Sequence, residues 1–171
     1  MDARRRSEPA PMKNRTTVER KSDREVVVTR TCNGPARIVW DAWTKAELFR
    51  QWWVPKSMGM SLLSCEMDVR VGGRYRLEFA HGDSQSAFFG TYKEVTPHSR
   101  LVWTNEESDE GSVTTVTFAE KKGKTLLVMH ELYPSKEALD AAGTGAADAM
   151  GETFEQLDEL LVTLGASVGR S

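Results

Sequence analysis

The sequence predicts an α+β domain in which a curved, seven-stranded antiparallel sheet wraps one long C-terminal helix, with two short helices after the first strand. Three observations carry that expectation. Seven short runs rich in β-branched and aromatic residues are joined by turn-forming connections too brief for parallel crossovers. Near the C-terminus, Met150, Phe154, Leu157, Leu161 and Leu164 recur at spacings of four, three, four and three, the stripe of an amphipathic helix. An apolar sheet face and an apolar helix face can only bury one another.

The chain has 171 residues, 39% hydrophobic and 28% charged, which suits one domain with a substantial core. A formal net charge of −2 gives no drive toward nucleic acid or an anionic membrane. No apolar run approaches the ~18 residues of a spanning helix, so membrane insertion is not expected. Residues 1–23 carry seven Lys/Arg, four Asp/Glu and almost no large apolar side chains, and read as a disordered tail. Arg4, Arg5 and Arg6 lack the interleaved aromatics of a nucleic-acid arm, and Met12 is an alternative start. Without the apolar segment of a secretory signal, the expected location is cytoplasmic. Cys32 and Cys65 are expected there as reduced, partly buried thiols. Two cysteines and three histidines make no metal-ligand spacing, so neither metal nor cofactor is expected.

From Arg24 the pattern is regular. REVVVTRT, 24–31, is the first strand. Gly34-Pro35 breaks it, and Pro35 suits a first helical turn. Val39, Trp40 and Trp43 then share a helical face. After Thr44 as N-cap, residues 45–53 place Leu48, Phe49 and Trp52 at helical spacing, and Pro55 stops that helix. Strands follow at 61–69, 74–79, 87–95, 100–105, 112–119 and 125–133. Their separators are Gly72-Gly73, HGDS, TPHS, ESDEG and KKGK, all turn chemistry. The acidic ESDEG run lacks EF-hand spacing and reads as a solvated loop. The last helix spans 148–164 and ends at Gly165. The expected domain is therefore 24–165, with 166–171 a second disordered tail.

Alternation places Tyr75, Leu77 and Phe79 on the inner face of their strand. Matching faces elsewhere are Leu101 and Trp103, Val116 and Phe118, and Leu126, Val128 and His130. On 87–95, two parities compete: Phe88 with Tyr92, or Phe89 with Val95. The former shares its parity with Gly90, where a helix or ligand would approach closely, and is preferred. With Met150 and Phe154 from the helix, these side chains line a mostly apolar pocket whose polar handles are Tyr75, Trp103 and His130. Trp52 is a candidate lid. The expected ligand-binding set is thus Trp52, Tyr75, Leu77, Phe79, Phe88, Tyr92, Trp103, Val116, His130, Met150 and Phe154. A core in which each polar tip has a structural partner competes with the pocket. His130 is the one titratable group expected inside. Glu131 points to the opposite face, and Glu66 and Asp68 lie on another strand, so no catalytic dyad is placed and no catalytic residue is assigned.

PARIVWDAWTKAELFRQWW at 35–53, GGRYRLEF at 72–79, GTYKEVTPHSRLVWT at 90–104 and TVTFAEKKGKTLLVMHELYP at 115–134 stand in an order that resembles one family. It is the AHSA1-like branch, named after the activator of Hsp90 ATPase, of the helix-grip (START-like, Bet v 1-like, SRPBCC) superfamily. The resemblance spans about residues 24–164. It departs at the last helix, where members often carry Gly-Trp and this chain has GTGAADAMGETFEQL. The resemblance implies a sheet gripping the helix, closed at one end by the helix pair. Members bind lipids, sterols, hormones and polyketides, and a minority catalyse cyclisation or hydrolysis. The implied partner is a small hydrophobic ligand. The alternatives are a cyclase or hydrolase using His130, or an accessory protein of a chaperone. This chain shows none of the additional N-terminal chaperone-binding domain found in the eukaryotic co-chaperone.

Overall fold

The computed structural model describes residues 16–54, 56–106, 111–143 and 149–169. Eight strands are present among them, one more than the sequence suggests. They are β1 (Thr17–Arg20), β2 (Glu25–Cys32), β3 (Ser61–Met67), β4 (Arg74–His81), β5 (Ser84–Thr96), β6 (Arg100–Thr104), β7 (Val113–Lys121) and β8 (Lys124–Leu132). The helices are α1 (Ala36–Thr44), α2 (Ala46–Phe49), α3 (Lys136–Ala142) and α4 (Met150–Gly169), with a single 3-10 turn at Lys56–Met58. The strands form one antiparallel sheet ordered β1-β2-β8-β7-β6-β5-β4-β3. The helix pair carries the chain from β2 to the far edge at β3, and a meander then returns it.

The additional strand lies in the segment expected to be a tail. TVER is short, charged and mostly exposed, as edge strands often are, so its ladder with β2 leaves little trace in hydrophobic pattern. The domain therefore begins before Arg24. The C-terminal boundary also shifts, because α4 continues through Gly165 to Gly169. A helical glycine costs ~1 kcal/mol but need not end a helix. Helix α2 closes at Phe49 rather than 53, and Thr44 is the last residue of α1, its hydroxyl donating back to the Trp40 carbonyl. Helix α3 is unforeseen. Ser135 caps it by accepting from the Ala138 amide, and Gly143, at φ +68°, follows its end. The expectations for residues 1–15, Pro55, 107–110 and the helix start at Asp148 lie outside the described residues.

The core sits between the concave sheet face and α1 and α4. Trp43, Trp52 and Phe154 meet there with ring centroids 4.9–6.3 Å apart, each at most 1% exposed. Arg30, 3% exposed on β2, pairs with Asp158 of α4 at 2.7 Å and holds the helix to the sheet. Asp158 also accepts from the Asn33 amide, and Glu120 accepts from the Ala36 amide at the start of α1. Both cysteines are free, and burial pushes the Cys32 thiol up to about 12.

Candidate functional site

The space between the sheet and α4 is largely filled by side chains. What remains is a void of about 50 Å³ walled by Trp43, Phe49, Met67, Leu77, Tyr92 and Leu101 among others. That holds water-sized contents, not a metabolite. Beside it runs a groove of about 520 Å³, bounded by β6, β7 and β8 on one side and by α3 and the first turn of α4 on the other. This volume lies within the range of small-molecule sites. Trp53, Phe88, Trp103 and Asn105 line both spaces and form the partition between them.

Asn105, which the sequence reading passed over, organises the floor of the groove. Its Oδ1 accepts from Trp103 Nε1 at 3.2 Å, and the Tyr75 hydroxyl lies 2.9 Å from both that oxygen and the Thr104 carbonyl. Its Nδ2 donates to the Ser112 carbonyl, the Ser112 hydroxyl and the Thr114 hydroxyl at 3.0–3.1 Å. The orientation of this amide is forced. An indole N–H can only donate and a backbone carbonyl can only accept, so each end of Asn105 has one possible identity. Ser112 and Thr114, both buried, are receivers from Asn105 and turn their own hydrogens to Glu131 Oε1, at 3.1 and 3.5 Å. The chain of donors therefore runs from the Trp103 indole through Asn105 to the Glu131 carboxylate. Burial, and after it the charge of Glu131, pushes the neighbouring Tyr133 hydroxyl up to about 12.

Tyr75, Leu77, Phe88, Tyr92 and Trp103 line the void, and Phe88, Trp103 and Met150 line the groove. The preferred parity of β5 holds from Phe88 to Tyr92, with Phe88 at the mouth and 42% exposed. The irregularity between Tyr92 and Glu94 turns Val95 inward as well, opposite Leu101. Gly90 admits neither helix nor ligand: its close neighbours are the Thr104 carbonyl and the Tyr75 ring. Trp52 is no lid. It is fully buried and donates to the Ala42 carbonyl, while its neighbour Trp53 reaches both spaces. Phe79, Val116 and Phe154 are packed core residues that reach neither space.

His130 is a correction. Strand β8 pairs with β7 so that Val116 faces Met129 and Thr114 faces Glu131, and cross-strand partners share a face. Leu127, Met129 and Glu131 therefore point inward, while Leu126, Val128 and His130 point outward. His130 Nε2 lies 2.7 Å from Glu25 Oε2 on the outer face, which holds the Glu25 carboxyl below its ordinary range. The parity is misread because TLLVMHEL carries apolar residues on both faces. Glu131 is the signal that was available: an acid opposite Thr114, itself in register with the inward Trp103.

Helix α4 also positions the rim. Gln156 donates to the Trp52 and Val54 carbonyls and accepts from the Lys56 amide, all at 2.9 Å. Glu152 accepts from the amide and the hydroxyl of Ser57. These bonds fix the segment that presents Trp53. Among the described residues, no three His, Cys, Asp or Glu side chains converge as metal ligands do, and no helix is long and apolar enough to cross a membrane.

Comparison with known proteins agrees with this architecture. Residues 33–162 match the family model for activator of Hsp90 ATPase homolog 1-like proteins. A solved protein from Rhodobacter sphaeroides superposes with a TM-score of 0.78 at 22% identity, covering 87% of this chain and 99% of its own. One from Staphylococcus epidermidis gives 0.73 at 27% identity, covering 86% and 94%. An AHSA1-like protein from Aeromonas hydrophila gives 0.63 at 21% identity, covering 81% and 94%. No protein of curated function matches the sequence.

Proposed function

Because the chain belongs to the activator of Hsp90 ATPase homolog 1-like family, whose fold commonly houses hydrophobic ligands, we propose that it binds a small, largely apolar molecule in the groove between the sheet and helices α3 and α4. The observation that carries this reading is the groove of about 520 Å³ abutting the smaller void, with three aromatic side chains in their common wall. Trp43 adds support. Its Nε1 is buried without a hydrogen-bond partner among the described residues, and a water in the void it lines, or a polar tip reaching in from a ligand in the groove, would relieve a penalty of ~1–3 kcal/mol.

The alternative reading of a cyclase or hydrolase depends on an inward His130 and loses that residue to the outer face. A chaperone-accessory role rests on the family's description alone.

The test is a titration with 2-(naphthalen-2-yl)ethanol followed by two-dimensional NMR. The indole N–H signals of Trp53 and Trp103 are expected to move, and that of Trp40, which packs against Phe118 and His98 elsewhere, to stay. The variant Ala141→Trp fills the groove from an exposed position and is expected to weaken binding at least tenfold. Unmoved indoles, or binding indifferent to Ala141→Trp, would place any ligand elsewhere.

A further inference from the structure

The void beside the groove is lined by a donor with no acceptor among the described residues, the indole N–H of Trp43. We infer that the ligand carries a neutral hydrogen-bond acceptor, a compact carbonyl on a slender apolar arm, and that the arm passes Phe88 so that its oxygen takes the Trp43 hydrogen. This rests on the reading of the groove as the binding site and specifies the chemistry of its occupant.

Neighbouring indoles of the same core are paired. Trp52 Nε1 donates to the Ala42 carbonyl and Trp103 Nε1 to Asn105 Oδ1. Trp43, 1% exposed, is the exception. An orphaned buried donor is costly enough to be rare, and an indole N–H can only donate, so what it lacks is an acceptor. A ligand oxygen suits that role better than a water. A buried water wants two to four polar partners, whereas on this wall Asn105 already engages both Tyr75 and Trp103. A carbonyl oxygen tethered to a bound molecule is served by the one donor.

Size and charge narrow the group. About 50 Å³ admits the tip of a molecule and not its body, which leaves the body to the groove of about 520 Å³. Among the described residues, no Lys, Arg, His, Asp or Glu lines the void, so a carboxylate or ammonium there would be buried without a countercharge. Burial pushes the Tyr92 hydroxyl up, so that it too stays neutral. The partition decides the way in. Asn105 and Trp103 are pinned by their mutual hydrogen bond, and Trp53 packs against Trp43, Phe49 and Trp52. Phe88 is 42% exposed, with Phe79 its one ring contact among the described residues, and is the side chain that yields most readily to a thin arm. Ala138, Ala141 and Ala142 of α3 keep the opposite wall of the groove low, leaving width for a flat ring system. The class selected is a methyl ketone or small ester on a short chain from an aryl or alkyl body.

The experiment compares two molecules of one shape by calorimetry and NMR: 4-(naphthalen-2-yl)butan-2-one and 2-(3-methylbut-3-en-1-yl)naphthalene, in which a methylene group replaces the carbonyl oxygen. Without an acceptor contact the alkene would bind more tightly, because the ketone gives up its hydration on burial. The ketone is instead expected to bind about fivefold more tightly than the alkene. It is also expected to move the Trp43 indole proton downfield, which the alkene does not. Trp43→Phe keeps a ring among the core aromatics and removes the N–H, and is expected to reverse the order in favour of the alkene. Equal affinities or an alkene preference in the unmodified protein would overturn the assigned acceptor but leave the groove as a binding site. So would a ketone preference that leaves the Trp43 proton unmoved or survives Trp43→Phe. Binding of neither molecule would overturn both. Because the ranking and the indole proton are read in the unmodified protein, the outcome does not depend on the variant folding.

Discussion

At Gly90, a Cβ atom would lie 1.7 Å from the Thr104 carbonyl oxygen and 2.9 Å from Tyr75 Cε2. Strand β5 crosses here from its ladder with β4 to its ladder with β6, and only a residue without a side chain allows that approach. Gly90→Ala is expected to cost about 3 kcal/mol in urea unfolding, since backbone rather than a flexible side chain must yield. A cost under 1 kcal/mol would mean that the strands slide apart easily. The same scale explains what could be read of the site beforehand. Tyr75 and Leu77 alternate with Arg74, Arg76 and Glu78, so their facing is evident from the chain alone. In TLLVMHEL both faces carry two or more apolar residues, and only pairing with β7 tells Met129 from Val128. Asn105 escapes notice for a different reason. An asparagine beside a turn looks like turn chemistry, and its value lies in four partners, three of them remote from it on other strands or beyond a loop.

Helix α4 is joined to the sheet and to the rim of the groove by side chains spaced along its length. Glu152 and Gln156 hold Val54, Lys56 and Ser57, and Asp158, lower on the helix, holds Arg30 and the Asn33 amide. Asp158→Ala strands Arg30 at 3% exposure, and breaking such a pair is expected to cost about 3 kcal/mol. Replacing both, as Arg30→Met with Asp158→Leu, is expected to recover most of it in the same urea assay, because the cost lies in the orphaned charge. At the rim, the Ser57 hydroxyl and then its amide hold the Glu152 carboxyl below its ordinary value of 4.5. A carboxyl held low contributes stability that is present above the unfolded value and lost as pH falls through the folded one. The Ser57 amide resonance should therefore stay constant from neutral pH to about 4.5 and move below it; a midpoint above 4.5 would detach Ser57 from Glu152. Long elements with a clear period are visible in the sequence, as the stripe from Met150 to Leu164 is. Helix α3 is not, because seven residues leave too little period to count, and its best signal was the Ser135 cap.

The order β1-β2-β8-β7-β6-β5-β4-β3 sets the first long strand beside the last. The antiparallel character was legible from the turns, whereas the neighbour of β2 was not, since nothing local in REVVVTRT specifies KTLLVMHEL. Strand β1 was invisible for a related reason: its partners are backbone groups, which carry no sequence signature. Deleting residues 1–20 removes that ladder and the Arg20–Asp140 pair and makes β2 an edge. The shortened protein is expected to fold with a melting temperature about 5 °C lower, on the order of 1–2 kcal/mol, and to self-associate more by light scattering. An unchanged melting temperature and monodispersity would show β1 to be idle. The arrangement also has a temporal consequence on the ribosome. About 90 residues separate Cys32 from Lys124, so at roughly 5–20 residues per second β2 emerges about 5–20 s before its principal partner is made. Through that interval Val26, Val27 and Val28 form a sticky, incomplete template, and the neighbour already synthesised is β1. A four-residue hairpin partner is too slight to fold anything by itself. It is enough to occupy one side of the template, so that a neighbouring nascent chain finds half the opportunity it otherwise would.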